Sequence, residues 1–433
     1  MRLLYNILFT IGFALSAPYY FLKMRRRGGW RSGFSQRFGH YDAKLKQALT
    51  NRRTLWFHAV SVGEVNLCTH LIHAIELRLP NHKIVVSTTT STGMSELKRR
   101  LPVHIAKIYY PIDRRKHVQR ALGLFNPVAM VFVEAELWPN MLWGLQRRGI
   151  PYFLVNARIS DRSFRGYRRA GFLFRKLFAG FAGVGVQSKA DAPRLRALGC
   201  RDEAVRVVGS LKFDSASVTH RTQLDVEGLL RQIGVTDGAP VIVGGSTHAG
   251  EEVILAGIAA RLQPRFPGLL LILVPRHQER GAEVGRELKA AGVRAIFRTE
   301  LTAGRTCGPG EVDCLIVNTT GELRAFYERA DVVFVGKSLT AEGGQNPIEP
   351  AALSKAIVFG PHMQNFPEIV PQFLAHNAAI QVRDAAGLEQ VMGELLADPD
   401  RRGEMGWRAR SVVEKNQGGI EKTVEMIVQG IKR

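Results

Sequence analysis

The chain has 433 residues, of which 45% are hydrophobic and 8% aromatic, a balance typical of a globular protein and unlike that of a disordered or fibrous one. This length is sufficient for two domains, each with a core of its own. The 60 Lys and Arg residues against 38 Asp and Glu give a formal net charge of +22. Such a charge indicates a polyanionic partner, either nucleic acid or an anionic membrane surface.

Composition also limits the kinds of site that the chain can carry. The four cysteines are scattered without a C-x-x-C pair, which favours a reducing, cytoplasmic compartment over a disulfide framework. No H-E-x-x-H pattern occurs, and the single Asp-x-Asp sequence, at residues 398–400, is typical of a turn between helices. We therefore expect neither a metal nor a cofactor.

The N-terminal stretch is predicted to bind a membrane. Residues 3–22 are mostly apolar and uncharged, and about 20 such residues suffice to cross a bilayer. The basic sequence KMRRR follows at residues 23–27, so the positive-inside rule keeps the rest of the chain cytoplasmic. Basic residues at this point also argue against the alternative, a cleaved signal peptide.

Polar residues weaken this apolar stretch, so a helix that lies in the membrane interface remains an alternative to one that spans it. They are Asn6, Thr10, Ser16 and Pro18. We predict that residues 1–27 anchor the protein at the inner, cytoplasmic face of a membrane.

From residue 54 onward, short β-branched runs alternate with longer stretches of 3.6-residue periodicity. This alternation predicts βαβ units with parallel sheets. The first set of strand candidates is 54–60, 83–90, 127–133, 151–157 and 183–188. After a polar segment the pattern restarts with 239–247, 269–275, 293–298, 313–318, 331–336 and 355–360.

The restart predicts two Rossmann-like halves. We place the boundaries at 28–214 for the first domain, 215–238 for a linker, 239–415 for the second domain and 416–433 for a C-terminal helix. Ligands bind outside the C-terminal strand ends of such sheets, so we expect the site in the cleft between the halves.

In the first half, HAVSVGEVN places Glu64 where a strand gives way to a helix. The sequence alone leaves two roles open, a first-turn charge that complements the helix dipole and a carboxylate that acts on a substrate. The dipole would lower the pKa of Glu64 and make it a weaker base. The hydroxyl-rich block TTTSTGM, at residues 88–94, is capable of capping the next helix or of holding an anion.

Two further segments of this half carry charge. VEAELWPN brings Glu134 and Glu136 to a strand end, where a working carboxylate and a helix-start charge are equally supported. Residues 156–178 mix basic and aromatic side chains, a pattern that suits anionic lipid, single-stranded nucleic acid or a core-facing aromatic stripe. The anchor favours lipid, for which the candidates are Arg158, Arg162, Phe164, Arg165 and Arg168.

The second half holds three candidate ligand-binding segments. In VIVGGSTHAGEE the residues alone favour ordinary helix capping by Ser246 and Thr247, and the alternative is a phosphate cradle in which glycines allow close approach. In VPRHQER, Arg276 follows an apolar strand and is able to pair with a phosphate or to remain solvated. In GGQNPIEP, Asn346 and Glu349 flank a helix start, where a carboxylate suits two ribose hydroxyls.

Several blocks, read together, carry a family resemblance. In chain order they are FHAVSVGEV, STTTSTG, FVEAELWPN, NARISDRS, GSLKFD, GSTHAGEE, VPRHQER and GGQNPIEPAALSKAIVFGPHMQNF. They resemble the transferases of 3-deoxy-D-manno-octulosonic acid (Kdo) in lipopolysaccharide synthesis. The resemblance implies an α/β protein of the GT-B fold, with two Rossmann-like domains facing across a cleft and an N-terminal membrane-anchor helix.

The resemblance also implies a reaction. Kdo would move from CMP-Kdo to a tetraacylated, bisphosphorylated lipid A precursor by inverting, metal-independent transfer, at the anionic inner membrane and without nucleic acid. Glu64 would be the general base, with a second acidic residue taken as Glu136, Glu134 being the alternative. The donor site would comprise Ser246, Thr247, Pro275, Arg276, Gly343, Gly344, Asn346 and Glu349.

Two rival functions remain. One is another GT-B enzyme, such as a nucleotide-sugar epimerase, which would not need residues 1–27. The other is a membrane-tethered nucleic-acid-binding protein, suggested by the charge of +22.

Overall fold

A computed structural model describes residues 2–26, 31–49, 52–134, 137–215, 224–302 and 304–431. The chain forms two compact units. Unit 1 comprises Met1–Ser215 with Gln417–Arg433, and unit 2 comprises Ala216–Asn416. The C-terminal segment thus belongs to unit 1, and the predicted linker 215–238 contains a helix, Val226–Gln232, that belongs to unit 2.

Unit 1 is built on a parallel sheet, as predicted. Its strands are β1 (Thr54–His58), β2 (Lys83–Thr88), β3 (Ala106–Tyr109), β4 (Pro127–Val133), β5 (Tyr152–Ala157), β6 (Gly183–Val186) and β7 (Val205–Val207). They pair in the order β3-β2-β1-β4-β5-β6-β7. The sequence pattern did not predict β3 and β7, which lie at the two edges of this sheet.

The helices of unit 1 flank the sheet, and one of them, α1, forms the N-terminal segment. They are α1 (Arg2–Arg26), α2 (Ala43–Leu49), α3 (Val62–Arg78), α4 (Ser91–Arg100), α5 (Arg115–Phe125), α6 (Pro139–Arg147), α7 (Asp161–Arg169), α8 (Gly171–Ala179), α9 (Asp191–Ala197), α10 (Leu211–Ser215) and, near the C-terminus, α20 (Gly419–Ile431). By length and composition, α1 is able to cross a membrane.

Unit 2 repeats the architecture. Its strands are β8 (Val241–Thr247), β9 (Leu270–Pro275), β10 (Ala295–Phe297), β11 (Cys314–Ile316), β12 (Val332–Val335), β13 (Ala356–Phe359) and β14 (Ile380–Gln381), paired in the order β10-β11-β9-β8-β12-β13-β14. Its helices are α11 (Val226–Gln232), α12 (Glu251–Leu262), α13 (Gly281–Ala290), α14 (Arg298–Thr302), α15 (Leu323–Arg329), α16 (Ile348–Ala352), α17 (Val370–Ala375), α18 (Ala385–Ala397) and α19 (Pro399–Asn416).

The central strands are buried on both faces, which explains their nearly continuous apolar sequences. All of β1 and all of β12 are buried. The indole of Trp56 in β1 donates to the Ser87 hydroxyl (2.8 Å), so its polar edge is satisfied inside the core. Because parallel strands end at the same edge of a sheet, the residues that follow them are gathered there in each unit.

The C-terminal helix α20 is fixed to unit 1 by one carboxylate. Asp214 accepts hydrogen bonds from the N–H groups of Gly418 (2.6 Å) and Ile420 (3.0 Å), which a helix start leaves without intrahelical partners. Val424 and Ile427 of this helix are fully buried in the core of unit 1.

We expect Asp214→Ala to loosen α20, because the loss of such a cap costs about 1–2 kcal/mol. Hydrogen exchange of the α20 amides, followed by mass spectrometry, should accelerate by about tenfold. The matched variant Asp214→Asn keeps one acceptor oxygen and should show a smaller effect. Equal exchange in Asp214→Ala and the unaltered protein would contradict this account.

Candidate active site

Glu64 lies in the first turn of α3, just after β1. The Ser61 hydroxyl caps this helix by accepting from the Glu64 N–H (3.2 Å). The Glu64 carboxylate accepts from the Val60 N–H through Oε2 (2.8 Å), and the residue is only 9% exposed. Ser61 also donates hydrogen bonds to the Glu64 carboxylate. Glu64 therefore orders the helix start, and Val60 and Ser61 hold its carboxylate in place.

Burial raises the pKa of Glu64 above its ordinary value. The hydrogen bonds from Val60 and Ser61 act in the opposite direction, and the nearby Glu134 carboxylate raises the pKa further. The helix start thus lowers the pKa as expected from the sequence, but burial outweighs it. The result is a carboxylate that is a stronger base than an exposed glutamate.

The threonine-rich block supports the loop that carries Glu64. Thr88 and Thr90 both donate their hydroxyl hydrogens to the Val60 carbonyl, at 3.3 and 3.1 Å. Thr90 also caps α4 by accepting from the Gly93 N–H (3.0 Å), which confirms the predicted capping. Val60 is therefore held on its carbonyl side by these threonines and on its N–H side by Glu64.

Glu134 directly follows β4 in a left-handed conformation (φ 65°). Its Oε1 accepts from the Asn156 amide (3.4 Å), and its charge opposes the burial that lowers the pKa of Lys212. A non-glycine residue in this conformation costs about 1–3 kcal/mol, and such strain is concentrated at functional sites.

Asn156, at the end of β5, links two of the sequence blocks. Its side chain is fully buried and its Oδ1 accepts from the Leu211 N–H (3.2 Å) at the start of α10. Sequence reasoning did not identify it, although it begins the block NARISDRS. Glu136 lies outside the described residues, so its role stays a prediction, whereas Glu134 is the acidic residue of that block whose charge reaches Glu64.

The basic segment forms two helices, α7 and α8, joined at Ala170. Arg162, Arg165 and Arg168 are exposed on α7, and Arg158 is half-buried before it. Their placement is compatible with an anionic surface, and their contact with lipid remains a prediction.

Phe164 is partly buried on α7, and its contact with lipid remains a prediction. With Tyr167 and Phe174 it packs against the core of unit 1, and the Arg168 guanidinium lies 5.7 Å from the centre of its ring. Helical spacing gathers these aromatic side chains on one side, but that side faces the protein. The exposed aromatic residue of the segment is Phe172, at 58%.

An apolar cavity of about 770 Å³ lies in unit 1 between α1 and the short helix Ser35–Phe38. Its floor includes Thr89, Thr90 and Ser91, and Arg37 in its wall donates to the Thr89 carbonyl (2.8 Å). The cavity therefore adjoins the threonine block that supports the Glu64 loop. Its apolar lining includes Phe13, Ala17, Phe21, Phe34, Phe38 and Ile112.

In unit 2, four predicted donor-site residues are neighbours at the ends of β8 and β9. Thr247 pairs with Pro275 past a bulge at Ser246, whose φ is 54°. Arg276 donates its N–H to the Thr247 carbonyl (3.0 Å) and exposes its side chain. The prediction of ordinary helix capping by Ser246 and Thr247 is wrong, because both residues belong to β8 and α12 begins only at Glu251.

Glu251, at the start of α12, accepts the backbone hydrogen bonds that were expected of the Ser246 and Thr247 hydroxyls. It was not identified from the sequence. The residue is fully buried, and its carboxylate accepts from four backbone N–H groups: His248 (2.9 Å), Lys337 (2.7 Å), Ser338 (2.9 Å) and Leu339 (3.0 Å). It therefore joins the turn after β8 to the turn after β12. Its position at a helix start was visible in the sequence. Most of its hydrogen-bond partners are far away in sequence, so its role could not be predicted.

A second carboxylate, Glu252, ties the block VPRHQER to α12. It is fully buried and forms an ion pair with Arg280 (2.7 Å). Burial raises the pKa of Glu252, while the Arg280 guanidinium counteracts that rise. The pair holds the segment that follows Arg276 against α12.

The glycines of the turn after β8 serve internal packing. A Cβ atom at Gly245 would collide with the Tyr327 hydroxyl, and one at Gly244 would lie 2.7 Å from Leu255. Small residues are thus required here by neighbouring side chains. Close approach of a ligand remains a prediction.

Asn346 orients Glu349 at the start of α16. Asn346 Oδ1 accepts from the Ile348 N–H (3.1 Å), and its Nδ2 donates to Glu349 Oε1 (3.2 Å). The Glu349 charge also adds to the effect of burial in raising the pKa of Tyr327. The carboxylate is therefore held in a fixed geometry in the first turn, as the sequence predicted.

The preceding loop depends on two glycines with positive φ, Gly343 (118°) and Gly344 (71°). Gly343 donates its N–H to the Gln364 side chain (2.8 Å), which joins this loop to the segment after β13. Both glycines thus lie in the loop that leads into Asn346.

The described parts of the chain contain no group of three or more His, Cys, Asp or Glu residues that could hold a metal ion. The described cysteines are free, and three of the four are buried. That the reaction proceeds without a metal or cofactor stays a prediction.

Several relatives of this chain are named for the same activity. The family model of the 3-deoxy-D-manno-octulosonic-acid transferases (kdotransferases) matches residues 32–215. The 3-deoxy-D-manno-octulosonic acid transferase of Bordetella pertussis is 33% identical, with 97% of this chain and 98% of that protein covered. The enzyme of the same name from Haemophilus influenzae is 29% identical, with 93% and 92% covered.

Solved structures share the fold. A UDP-GlcNAc 2-epimerase from Neisseria meningitidis matches with a TM-score of 0.58 at 11% identity, over 87% of this chain and all of that one. A glycosyltransferase from Rickettsia africae matches with a TM-score of 0.57 at 14% identity, over 88% of this chain and all of that one. These likenesses show the GT-B fold.

We expect Glu251→Gln to destabilise unit 2, because an amide NH₂ would face backbone N–H groups that now donate to a carboxylate. Loss of such buried bonds costs about 2–3 kcal/mol, measurable by urea denaturation. Glu283→Gln, at a position 47% exposed on α13, is the matched control and should change stability by under about 0.5 kcal/mol. Equal stability of the two variants would contradict the role assigned to Glu251.

Proposed function

We propose, because the chain belongs to the 3-deoxy-D-manno-octulosonic acid transferase family, that it transfers Kdo from CMP-Kdo to a tetraacyl, bisphosphorylated lipid A precursor with inversion and without a metal. Its activity as a Kdo transferase follows from the family. The donor, the acceptor and the mechanism are the content of the proposal. Glu64 is the observation that carries it: the Val60 N–H holds its carboxylate, the residue is nearly buried, and its pKa is raised.

In the proposed reaction, Glu64 Oε1 takes the proton from an acceptor sugar hydroxyl. The hydroxyl oxygen attacks the anomeric carbon of Kdo, and the bond from that carbon to the CMP phosphate oxygen breaks on the opposite face. The electron pair leaves with CMP. The Val60 N–H holds Oε2 throughout, so the base has a fixed direction. Glu134, whose charge raises the pKa of Glu64, strengthens the base and is a positioning residue.

Unit 2 is proposed to bind the donor. Glu349, fixed by Asn346, accepts from the two ribose hydroxyls of CMP. The exposed guanidinium of Arg276 pairs with the phosphate and stabilises the charge that develops as CMP leaves. Ser246 and Thr247, next to it at the end of β8, complete the phosphate side of the site.

A lipid acceptor is supported by two features of unit 1. The cavity of about 770 Å³ adjoins the threonine block that supports the Glu64 loop and has a mostly apolar lining, as an acyl chain requires. The exposed arginines of α7, Arg162, Arg165 and Arg168, carry charge suited to the two phosphates.

We expect Glu64→Gln to lower kcat by about 10²–10⁴-fold, because glutamine can still accept from the Val60 N–H but cannot take a proton. Mass analysis of the product made from CMP-Kdo and lipid A precursor measures this. The control Glu76→Gln, on the exposed end of the same helix, should retain activity. A near-normal rate in Glu64→Gln would overturn the base assignment, and no product from the unaltered protein would overturn the proposed reaction.

The pH profile should report the same carboxylate. Glu64 must be ionised to act as a base, so kcat/KM should fall as the pH drops through its raised pKa. Glu134→Gln removes a neighbouring negative charge and should shift this acidic limb to lower pH. Glu76→Gln should leave the limb in place. A limb unmoved by Glu134→Gln would mean that another group controls the profile.

A further inference from the structure

The N-terminal helix α1 has two distinct faces. The side chains that are partly buried recur at helical spacing along nearly its whole length: Tyr5, Asn6, Phe9, Thr10, Phe13, Ser16, Ala17 and Met24. The opposite face is apolar and exposed, with Leu4 (51%), Leu8 (60%), Ile11 (53%), Leu15 (78%) and Leu22 (53%). This division is that of a helix lying along a surface.

The partly buried face is bonded to unit 1 by polar groups. The Tyr5 hydroxyl donates to Asp113 Oδ2 (2.8 Å), a carboxylate only 2% exposed that also accepts from the Asn140 N–H (2.9 Å). The side-chain amides of Asn6 and Asn140 bond to each other in both directions, at 2.9 and 3.4 Å. These contacts fix α1 against the start of α6.

Aromatic contacts extend the docking along the helix. Tyr5 packs edge-on against Trp143 (5.6 Å between ring centres) and Phe9 against Trp138 (6.1 Å). Near the other end, Phe21 packs against Phe34 (6.3 Å). From Tyr5 to Phe21 the helix rises by roughly 24 Å at 1.5 Å per residue, so most of its length follows unit 1.

A helix in this position cannot also cross a bilayer. Crossing would take Asn6, Thr10 and Ser16 into hydrocarbon, where polar groups are costly, and would leave the buried Asp113 without its Tyr5 donor. In the docked helix these three polar residues lie on the protein side, and the side left open is apolar.

We propose that α1 is a monotopic membrane helix, which stays docked on unit 1 and inserts its exposed apolar face into the cytoplasmic leaflet of an anionic membrane. Charge complementarity supports this partner, since the last turn carries Lys23, Arg25 and Arg26 and the first turn has no acid. The proposal concerns membrane attachment and stands independently of the reaction proposed above.

Cross-linking in native membranes tests the docking. In a chain with Cys307→Ser, the variants Asn6→Cys and Asn140→Cys together place two thiols where the amides now meet. A short bismaleimide should link them as fully in membranes as in detergent. The control pair Leu4→Cys with Asn140→Cys, with one thiol on the exposed face, should link far less. Linking in detergent that is lost in membranes, or absent from both, would overturn the proposal.

Vesicle flotation tests the partner. The full chain should float with vesicles that contain phosphatidylglycerol and should float less with purely zwitterionic ones. The double variant Leu8→Glu and Leu15→Glu, which alters only the exposed face, should reduce flotation at least tenfold while its Asn6–Asn140 cross-link is kept. An unaltered chain that ignores anionic vesicles and instead dimerises through this face would overturn the assignment of lipid as the partner.

Discussion

Both units must supply acceptors for the backbone N–H groups that a strand-to-helix turn leaves without partners. In each unit a glutamate in the first helical turn after an inner strand accepts hydrogen bonds from such groups. These residues are Glu64 after β1 and Glu251 after β8. Glu251 uses both oxygens on four N–H groups and is thereby committed to structure. Glu64 accepts from the Val60 N–H through one oxygen, and its pKa is raised by burial. A glutamate at the same position therefore has a structural role in unit 2 and is a candidate base in unit 1.

The fold follows from sequence pattern wherever a strand is central. Residues 127–133 were predicted as a strand and form β4 with those bounds, because burial on both faces imposes an apolar run that no polar residue interrupts. The missed strands, β3, β7 and β14, are short and lie at sheet edges. With only one paired neighbour each, they need no such run, and β3 even contains Lys107.

Only part of the candidate site could be predicted from the sequence, and burial does not explain which part. Glu64 and Glu349 were identified because they belong to blocks that carry the family resemblance, and their partners Val60 and Asn346 are within four residues. The partners of Glu251 at β12 lie 86 to 88 residues away, and no local pattern encodes them. Phe164 shows the limit of periodicity, which identifies an aromatic stripe but not whether it faces the core or the surroundings.

The discontinuity of unit 1 bears on how the chain is made. Unit 2 is contiguous and has all its residues once Asn416 has left the ribosome, whereas the core of unit 1 still awaits Val424 and Ile427 of α20. Domains generally fold as units during synthesis. All residues of unit 2 are therefore made before the core of unit 1 is complete, and the turn that holds Glu64 rests on a finished core only after α20 has been made.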